Sequence, residues 1–371
     1  MMGKIALLSA PFGKFTIEKL TVPEPGKGEI LVKQSMCGVC GTDVHMYQGH
    51  LPGTKYPIVL GHEAIGTVEK LGEGVEADHS GRPVSEGDLI YVIPGLSCRK
   101  CYFCSVLREP TICVNGTGYG FNPFPENPRS FSGGYAEYIY VNHPWSTFVK
   151  MNAKPEASVF LEPLTIGIHA VDRARLHVAD TVVVQGCGAV GISTLVAAKE
   201  AGALRAIVVG APESRLKLAK DFGADLTVNI EEIKNPDERV KLVRGETLGE
   251  YGVDAVFECT GVPAAISEGI KMLRKGGTYV VAGHFTDVGS TSLNPYVDFN
   301  NKHITLVGVW GGEVAHFVRG RPLIESGRYP FGKFISHKLP LERCEDAMKA
   351  IMGNYRLDGK EVNKIVMMGS L

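Results

Sequence analysis

Apolar and polar positions alternate in blocks between residues 182 and 309 of the chain. Short runs rich in Val, Ile and Ala are separated by amphipathic segments of helix length. Such runs are typical of strands buried on both faces of a parallel sheet. The predicted strands are Val182–Gln185, Ala206–Val209, Leu226–Asn229, Asp254–Glu258, Tyr279–Ala282 and Ile304–Val309, and the helices between them include Ala189–Ala201, Glu213–Phe222 and Ala264–Leu273. The alternation predicts an α/β fold with a doubly wound parallel sheet.

The chain before about residue 150 has a different pattern. It is rich in Gly and Pro and has short β-like runs such as Glu29–Lys33 and Asp88–Ile93, which predict an irregular, mostly β domain. From about Trp310 the sequence predicts one or two helices and a final strand, Lys364–Met367. The aromatic, glycine-rich segment Gly116–Ser132 is read as a surface loop, with the rim of a substrate entrance as the alternative.

Length and charge limit the function classes. With 371 residues the chain can form two domains of ordinary size, each with its own core. A net charge of -1 gives no long-range attraction to nucleic acid or an acidic membrane. The apolar stretch at the N-terminus is too short for a secretory signal and is interrupted by Pro11. We therefore expect a cytoplasmic protein that binds neither nucleic acid nor a membrane.

A dinucleotide-binding motif follows the first predicted parallel strand. Gly186, Gly188 and Gly191 form G-x-G-x-x-G between that strand and a helix. The first glycine allows a tight turn, the second lets the backbone approach a pyrophosphate, and the third lets the helix pack closely. The helix N-terminus attracts the phosphate charge. The alternative, in which the glycines serve packing alone, is disfavoured by the strand–turn–helix context.

The end of the second predicted strand bears on the choice of cofactor. An acidic residue about twenty positions after the glycine motif normally holds the adenosine ribose. Gly210 stands where that carboxylate is expected, and Arg215 is a nearby cation that could accept a 2′-phosphate. Glu213 could still reach the ribose, so both NAD and NADP remain open.

Four of the nine cysteines lie within sixteen residues. Cys98, Cys101, Cys104 and Cys113 run as C-x2-C-x2-C-x8-C, a spacing typical of a closed structural zinc site. An iron–sulfur cluster and redox disulfides are the alternatives, and neither a partner domain nor an oxidising compartment supports them.

A second set of metal-ligating residue types is scattered. Cys40 lies in C-G-V-C-G-T-D, His62 and Glu63 in G-H-E, and Glu162 in L-E-P. A Cys, a His and a carboxylate from separate segments could hold a catalytic zinc with one position left open. A buried packing Cys and a solvated Glu are the alternative reading, because sequence alone cannot show that these residues converge.

Taken together, these motifs resemble the zinc-containing medium-chain alcohol dehydrogenase family, and its sorbitol and polyol dehydrogenase branch in particular. Besides the motifs above, the likeness rests on G-G-Y-A-E-Y (Gly133–Tyr138) and E-P-L (Glu162–Leu164). It implies a Rossmann-type domain and a mostly β, GroES-like catalytic domain. The implied boundaries are 1–162 for the catalytic domain with its zinc lobe at 95–115, 163–309 for the dinucleotide domain, and 310–371 for a return to the catalytic domain.

The resemblance also implies roles for individual residues. Cys40, His62 and Glu162 would surround a catalytic zinc, with Glu63 as a neighbouring carboxylate that can approach the metal. Thr42 would contact the substrate oxygen, and His45 would end a proton relay through the cofactor ribose. The implied cofactors are one catalytic and one structural Zn²⁺ and either NAD or NADP, in a homodimer or homotetramer.

Two departures from the liver-type enzymes are visible in the sequence. Glu162 stands where those enzymes have a second Cys, as in the polyol branch. Eight residues, where seven are common, separate Cys104 from Cys113. The implied reaction is hydride transfer between a secondary alcohol or polyol and NAD(P), which gives a ketone or aldehyde.

Three other functions are each suggested by part of the sequence. A zinc-free NADPH enone or quinone reductase of the same fold would lack Cys40, His62 and Glu162. A non-catalytic dinucleotide- or zinc-binding protein would lose the open site. A thiol redox protein is suggested by the Cys37-x-x-Cys40 spacing, but the surrounding sequence has no thioredoxin-like context.

The sequence does not identify the substrate. The candidate pocket residues, each of which could equally serve packing, are Tyr119, Phe121, His284, Phe285 and Trp310.

Overall fold

A computed structural model describes residues 1–121, 130–353 and 355–370 of the chain. The strands are, in chain order, β1 (Met2–Leu8), β2 (Phe15–Thr21), β3 (Ile30–Gly38), β4 (Ile58–Val59), β5 (Glu63–Leu71), β6 (Leu89–Ile93), β7 (Gly95–Leu96), β8 (Thr117–Gly118), β9 (Tyr138–Val141), β10 (Thr147–Lys150), β11 (Thr181–Gln185), β12 (Arg205–Gly210), β13 (Leu226–Asn229), β14 (Val253–Glu258), β15 (Leu273–Val281), β16 (Thr305–Gly308), β17 (Ile335–Pro340), β18 (Arg356–Leu357), β19 (Lys360–Glu361) and β20 (Lys364–Met368).

The helices are α1 (Gly41–Gln48), α2 (Tyr102–Ser105), α3 (Pro155–Ser158), α4 (Leu161–Ala174), α5 (Ala189–Glu200), α6 (Glu213–Asp221), α7 (Pro236–Gly245), α8 (Pro263–Met272), α9 (Val314–Glu325) and α10 (Cys344–Met352). Shorter 3-10 or π turns lie at Pro110–Ile112, Leu248–Glu250, Pro295–Asn300, Phe331–Phe334 and Leu341–Arg343. No helix in the described part of the chain is both long and apolar enough to cross a membrane. The residues fall into two units, one of 1–162 with 312–371 and the other of 163–311.

The second unit is built on one parallel sheet. Its strand order is β13-β12-β11-β14-β15-β16. This order matches that of a dinucleotide-binding sheet, in which the crevice for the ligand opens between the first and fourth strands. The strands are rich in β-branched residues that are buried on both faces, for example Val182, Val183 and Val184. The predicted doubly wound α/β fold is confirmed.

Some bounds in this unit differ from those predicted. Helix α8 ends at Met272 and strand β15 begins at Leu273, six residues before the predicted Tyr279. The edge strand β16 is shorter than the predicted Ile304–Val309, because pairing with β15 extends only from Thr305 to Gly308. Helix α7 was not predicted, since its sequence is largely charged and few of its side chains are buried. Its start does carry a recognisable signal, with Asn235 as N-cap and Pro236 at the first helical position.

The first unit is mostly β, as predicted. One sheet runs in the order β10-β6-β5-β3-β20-β17, with β9 also paired to β3, and a second runs β2-β1-β4. The tail of the chain contributes more than the expected helices and final strand, because β17 and β20 both join the larger sheet. Gly38 at the end of β3 pairs with Glu63 of β5 on one side and Val366 of β20 on the other. The tail is thereby brought beside the G-H-E segment.

Candidate active site

Three of the scattered metal-ligating residues converge in the first unit. Cys40 immediately precedes α1, while His62 and Glu63 lie at the start of β5. Their ligand atoms all lie within 4.8 Å of one another. His62 and Glu63 are buried, and Cys40 is partly exposed. The structure thus joins a thiol, an imidazole and a carboxylate from two distant segments.

Asp43 contacts both Cys40 and His62. Its Oδ2 accepts a hydrogen bond from the backbone N–H of Cys40 at 2.9 Å, and its Oδ1 lies 3.4 Å from Nδ1 of His62. Burial by itself lowers the pKa of His62, but the charges of Asp43 and Cys40 outweigh it and raise the pKa well above its ordinary value. With Nδ1 turned to a carboxylate, Nε2 is the nitrogen left for a metal. Sequence reasoning gave Asp43 no role, although it lies within the C-G-T-D segment.

Glu63 forms a buried ion pair with Lys364. Nζ of Lys364 lies 2.7 Å from Oε1 and 2.5 Å from Oε2 of Glu63, and both side chains are almost fully buried. A Cβ atom on Gly38 would lie only 1.9 Å from Oε2, so glycine is required there to make room for the pair. Sequence reasoning missed Lys364, because only the pairing of β20 with β3 brings it to the site.

Glu162 lies beside the group but outside it. It is in the first turn of α4 and is not among the residues whose ligand atoms lie within 4.8 Å. Burial raises its pKa to about 7, an effect that His62 opposes and Glu63 reinforces. The structure therefore groups Glu63 with Cys40 and His62, with Glu162 as a neighbouring buried carboxylate.

The group fits a zinc ion. Zinc in catalytic sites binds Cys, His and carboxylate ligands and leaves one position open. Cys40, His62 and Glu63 each offer one ligand atom, and these atoms lie within 4.8 Å of one another, which is the donor set that such a site needs. The carboxyl groups of Glu162 and Asp43 act electrostatically on this site as well, so further carboxylate oxygens, a ligand type that zinc accepts, lie near the group.

Thr42 and His45 lie beside the group on the first turns of α1. Their spacing of three residues puts them on one helix face. Oγ1 of Thr42 lies 3.7 Å from Sγ of Cys40. Burial lowers the pKa of His45, and His50 lowers it further. Nδ1 of His45 is buried and makes no hydrogen bond with the described residues.

The sulfur atoms of the four-cysteine lobe are spaced like the ligands of one tetrahedral metal ion. The distance between the sulfur atoms is 3.5 Å for Cys101 and Cys104, 3.9 Å for Cys101 and Cys113, and 3.5 Å for Cys113 and Cys98. A tetrahedron with zinc–sulfur bonds of about 2.3 Å has edges of about 3.8 Å. The Asn115 side chain and backbone N–H groups donate to Sγ of Cys98 and lower its pKa to about 6. All four are free thiols, so the donors fit zinc and no disulfide joins them.

The Cys37-x-x-Cys40 pair lacks the features of a redox site. Both cysteines are free thiols, and Cys37 is fully buried. Burial raises the pKa of the Cys37 thiol well above its ordinary value, with Asp43 and Glu63 adding to the effect. A thiol that stays protonated is a poor nucleophile for disulfide exchange.

The glycine motif lies where a dinucleotide pyrophosphate binds in this type of sheet. Gly186 follows β11 with a φ of +103°, a conformation that favours glycine. A Cβ on Gly191 would lie 2.0 Å from the carbonyl oxygen of Gly186, so the helix could not pack as it does. A Cβ on Gly188 would meet nothing within 4 Å, so this position has open space beside it rather than close packing. Gly188 is the N-cap of α5 and brings no capping side chain to the first N–H groups of that helix.

Two opposite charges follow the end of β12 on helix α6. Gly210 is its last residue, and a Cβ there would lie 2.9 Å from Sγ of Cys187. Glu213 is exposed in the first turn of α6 and accepts a hydrogen bond from Nδ2 of Asn229 at 3.3 Å. Arg215 is half-buried on the same helix.

The aromatic candidates from the sequence divide into two kinds. Tyr119 is buried and is held by its hydroxyl, which lies 2.7 Å from Oγ of Ser146, so it belongs to the core. Phe121 stacks on His62 with ring centres 4.4 Å apart, and Phe285 stacks on Trp310 at the same separation. The rest of the predicted loop Gly116–Ser132 includes residues 122–129, which lie outside the described residues.

The comparisons with known proteins agree with this geometry. A family model for the alcohol dehydrogenase GroES-like domain matches residues 26–153, and one for zinc-binding dehydrogenases matches residues 189–326. The chain is 32% identical to 5-exo-hydroxycamphor dehydrogenase of Pseudomonas putida, over 90% of this chain and 92% of that one. It is 33% identical to sorbitol dehydrogenase of Ovis aries, over 91% and 90% of the two chains.

Solved structures give the same result. An alcohol dehydrogenase from Thermotoga maritima superposes with a TM-score of 0.90 at 31% identity and covers 99% of both chains. A putative zinc-binding dehydrogenase from Sinorhizobium meliloti, solved bound to NADP, gives 0.84 at 28% identity with the same coverage. From these matches and the site described above, the chain belongs to the zinc-binding, medium-chain alcohol dehydrogenase family.

Proposed function

We propose that this chain transfers a hydride between a secondary alcohol or polyol and NAD(P). The observation that carries the proposal is the meeting of Cys40, His62 and Glu63 within 4.8 Å, beside the hydroxyl of Thr42. Zinc held by these residues supplies Lewis acidity, which lowers the pKa of an alcohol hydroxyl. The names of the relatives, which include sorbitol dehydrogenase and erythritol/L-threitol dehydrogenase, support an alcohol with neighbouring hydroxyl groups.

The chain's own residues handle the proton. The hydroxyl of Thr42 can accept the proton of the substrate alcohol and donate its own onward. His45 follows on the same helix face, and its lowered pKa keeps it neutral and able to accept a proton near neutral pH. Asp43 holds His62 in one orientation, and Lys364 holds Glu63. Glu162 is a further carboxylate near the same site.

The dinucleotide is proposed to bind along the edge of the sheet of the second unit. Gly186, Gly188 and Gly191 would receive the pyrophosphate, and the adenosine ribose would lie by Gly210. A ribose with free hydroxyls favours the acceptor Glu213, and a 2′-phosphate favours Arg215. The affinities for NAD and NADP, measured side by side, therefore show whether Glu213 or Arg215 determines the choice of cofactor.

Each rival function is opposed by a particular observation. A zinc-free reductase does not need the group of Cys40, His62 and Glu63. A non-catalytic relative does not need Thr42 beside an open metal position.

We also propose a homodimer or homotetramer. It is supported by the edge strand β16, whose Leu306 is 45% exposed and whose backbone could pair with a second copy. A cytoplasmic location stays a prediction; the nine free thiols suit a reducing compartment.

The proposal is tested by nicotinamide absorbance with zinc-replete protein. Polyols, secondary alcohols and the corresponding ketones are offered with NAD(H) and NADP(H) in parallel. Zinc-dependent turnover of one alcohol class, lost on chelation and restored by added zinc, is the expected result. Protein that carries zinc and binds the cofactor yet turns over no member of the panel would overturn the proposal.

A further inference from the structure

A second imidazole lies next to that of His45. The ring centres of His45 and His50 are 6.4 Å apart, and the two ring planes are tilted by 39°. His45 is partly buried, while His50 is exposed. The proton path proposed above ends at His45 and makes no use of His50.

The end of helix α1 determines this placement. The helix ends at Gln48, and Gly49 follows with a φ of +73°, in the left-handed region that favours glycine. The N–H of Gly49 donates to the carbonyl oxygen of Met46 at 3.0 Å, and the N–H of His50 donates to that of His45 at 2.8 Å. These two bonds form a Schellman motif. The backbone itself therefore ties residue 50 to residue 45, which brings the two imidazoles together.

The other charged groups around helix α1 are engaged elsewhere. On the helix itself, Asp43 contacts the metal-ligand group. Helix α10 packs against α1, and its Glu345 and Lys349 pair with each other at 2.6 Å. Burial lowers the pKa of His45, and the charge of His50 lowers it further. Among the described residues, His50 is thus the charged group that the structure shows to act on His45.

The effect of that charge on the proton path has a definite sign. During alcohol oxidation His45 has to be neutral, because only a neutral imidazole can accept a proton. Once His50 is protonated, it repels a second proton on His45. Two unit charges 6.4 Å apart in water repel each other enough to change a proton affinity about threefold. His50 is exposed and can exchange its own proton directly with solvent.

We propose that His50 is a positioning residue of the proton path, whose positive charge keeps His45 in the proton-accepting form as the pH falls below neutrality. The inference rests on the proposed function, because it requires that His45 accepts the proton of an alcohol. It adds a second histidine, which acts through His45 and touches neither the substrate nor the metal ligands.

The first test is the pH dependence of the hydride-transfer rate. The rate constant for cofactor reduction by an alcohol is measured in single turnovers from about pH 5 to 9, which spans the range in which histidine changes its charge. His50→Gln removes the positive charge, so His45 takes up its proton at higher pH and fails earlier as an acceptor. The variant should be about threefold slower than wild type on the acid side. The two rates should converge at alkaline pH, where both imidazoles are neutral; a merely structural loss would lower the rate at every pH.

Two further variants control for the charge. His50→Lys keeps a positive charge at the same position and should retain the wild-type rate on the acid side. Lys55→Gln removes a positive charge from an exposed position five residues further along the chain. Because the structure shows no action of Lys55 on His45, this variant should keep the wild-type pH profile.

The second test needs neither cofactor nor alcohol. The ring signals of ¹³C-labelled histidine are titrated by nuclear magnetic resonance in zinc-loaded protein, and His45→Gln identifies the signal of His45. Its titration midpoint should lie at higher pH in His50→Gln than in wild type, and should not move in Lys55→Gln.

The outcomes separate the inference from the proposed function. An equal midpoint for His45 in wild type and His50→Gln would overturn the inference, as would a ratio of their rates that is the same at every pH. Absence of alcohol turnover by the wild-type protein at every pH would instead overturn the proposed function, and the inference with it.

Discussion

The ion pair between Glu63 and Lys364 gives the sharpest prediction about the site. Lys364→Met removes the charge and keeps a long apolar side chain of similar shape. Both partners are almost fully buried, so Glu63 is left as an uncompensated charge. Breaking a buried pair from one side costs about 3–5 kcal/mol. We expect the free energy of unfolding of the metal-free protein to fall by this amount.

Zinc changes that cost. A cation at the Cys40–His62–Glu63 group compensates Glu63, so Lys364→Met should cost less in the zinc-loaded protein. By linkage, each 1.4 kcal/mol of difference is about a tenfold rise in zinc affinity of the variant. The measurement is urea unfolding of wild type and variant, each with and without zinc.

Glu63→Gln provides the matched control. In the metal-free protein, Lys364→Met should cost little or be stabilising in the Glu63→Gln background, because no buried carboxylate then needs the lysine. The double-mutant cycle isolates the pair. A cost below about 1 kcal/mol in the metal-free wild-type background would refute the reasoning, since breaking a buried pair should cost more. An equal cost in both backgrounds would refute it as well.

Further predictions concern the other parts of the site. Asp43→Asn should weaken zinc binding at the catalytic group by about 10–100-fold, measured by competition with a chromogenic chelator, because the amide no longer holds Nδ1 of His62 as a carboxylate does. Cys113→Ser should remove about one zinc per chain and lower the melting temperature in calorimetry, as the lobe depends on its metal; an unchanged metal count would contradict this. Gly191→Ala should abolish NADH binding or destabilise the protein by about 1–3 kcal/mol, because its Cβ would lie 2.0 Å from a backbone oxygen. Gly245→Ala, with open space around its Cβ, is the control that should change neither.

The sheet of the second unit could be predicted because its strands are buried on both faces and therefore appear as continuous apolar runs. Helix α7 escaped prediction because only one edge of it is buried, so its charged residues outnumber its apolar ones. The tail was underestimated for a different reason. The final strand β20 was predicted, but β17 was not, and only the pairing of β17 with β20 and of β20 with β3 shows that both belong to the larger sheet.

The candidate site was predictable as far as its motifs are local. Cys40, His62 and Glu63 stand in recognisable segments, and the structure brings them together. Lys364 carries no such signal, because it is 301 positions from its partner and lies in an ordinary strand. The resemblance implied Glu162 around the metal with Glu63 close by and left the direct carboxylate ligand open, and the structure groups Glu63 with Cys40 and His62. Glu162 lies on α4, outside the strands that carry Glu63 and Lys364, so only the folded chain shows how close each carboxylate comes to Cys40 and His62.

The central claim is that hydride transfer depends on the metal group at Cys40. The most direct measurement compares Cys40→Ser with Cys37→Ala for zinc content and for alcohol-dependent reduction of the cofactor. Wild type and Cys37→Ala should hold about two zinc ions per chain and turn over, while Cys40→Ser should retain only the structural ion and lose activity. Turnover by Cys40→Ser at the wild-type rate, with the catalytic ion absent, would contradict the account.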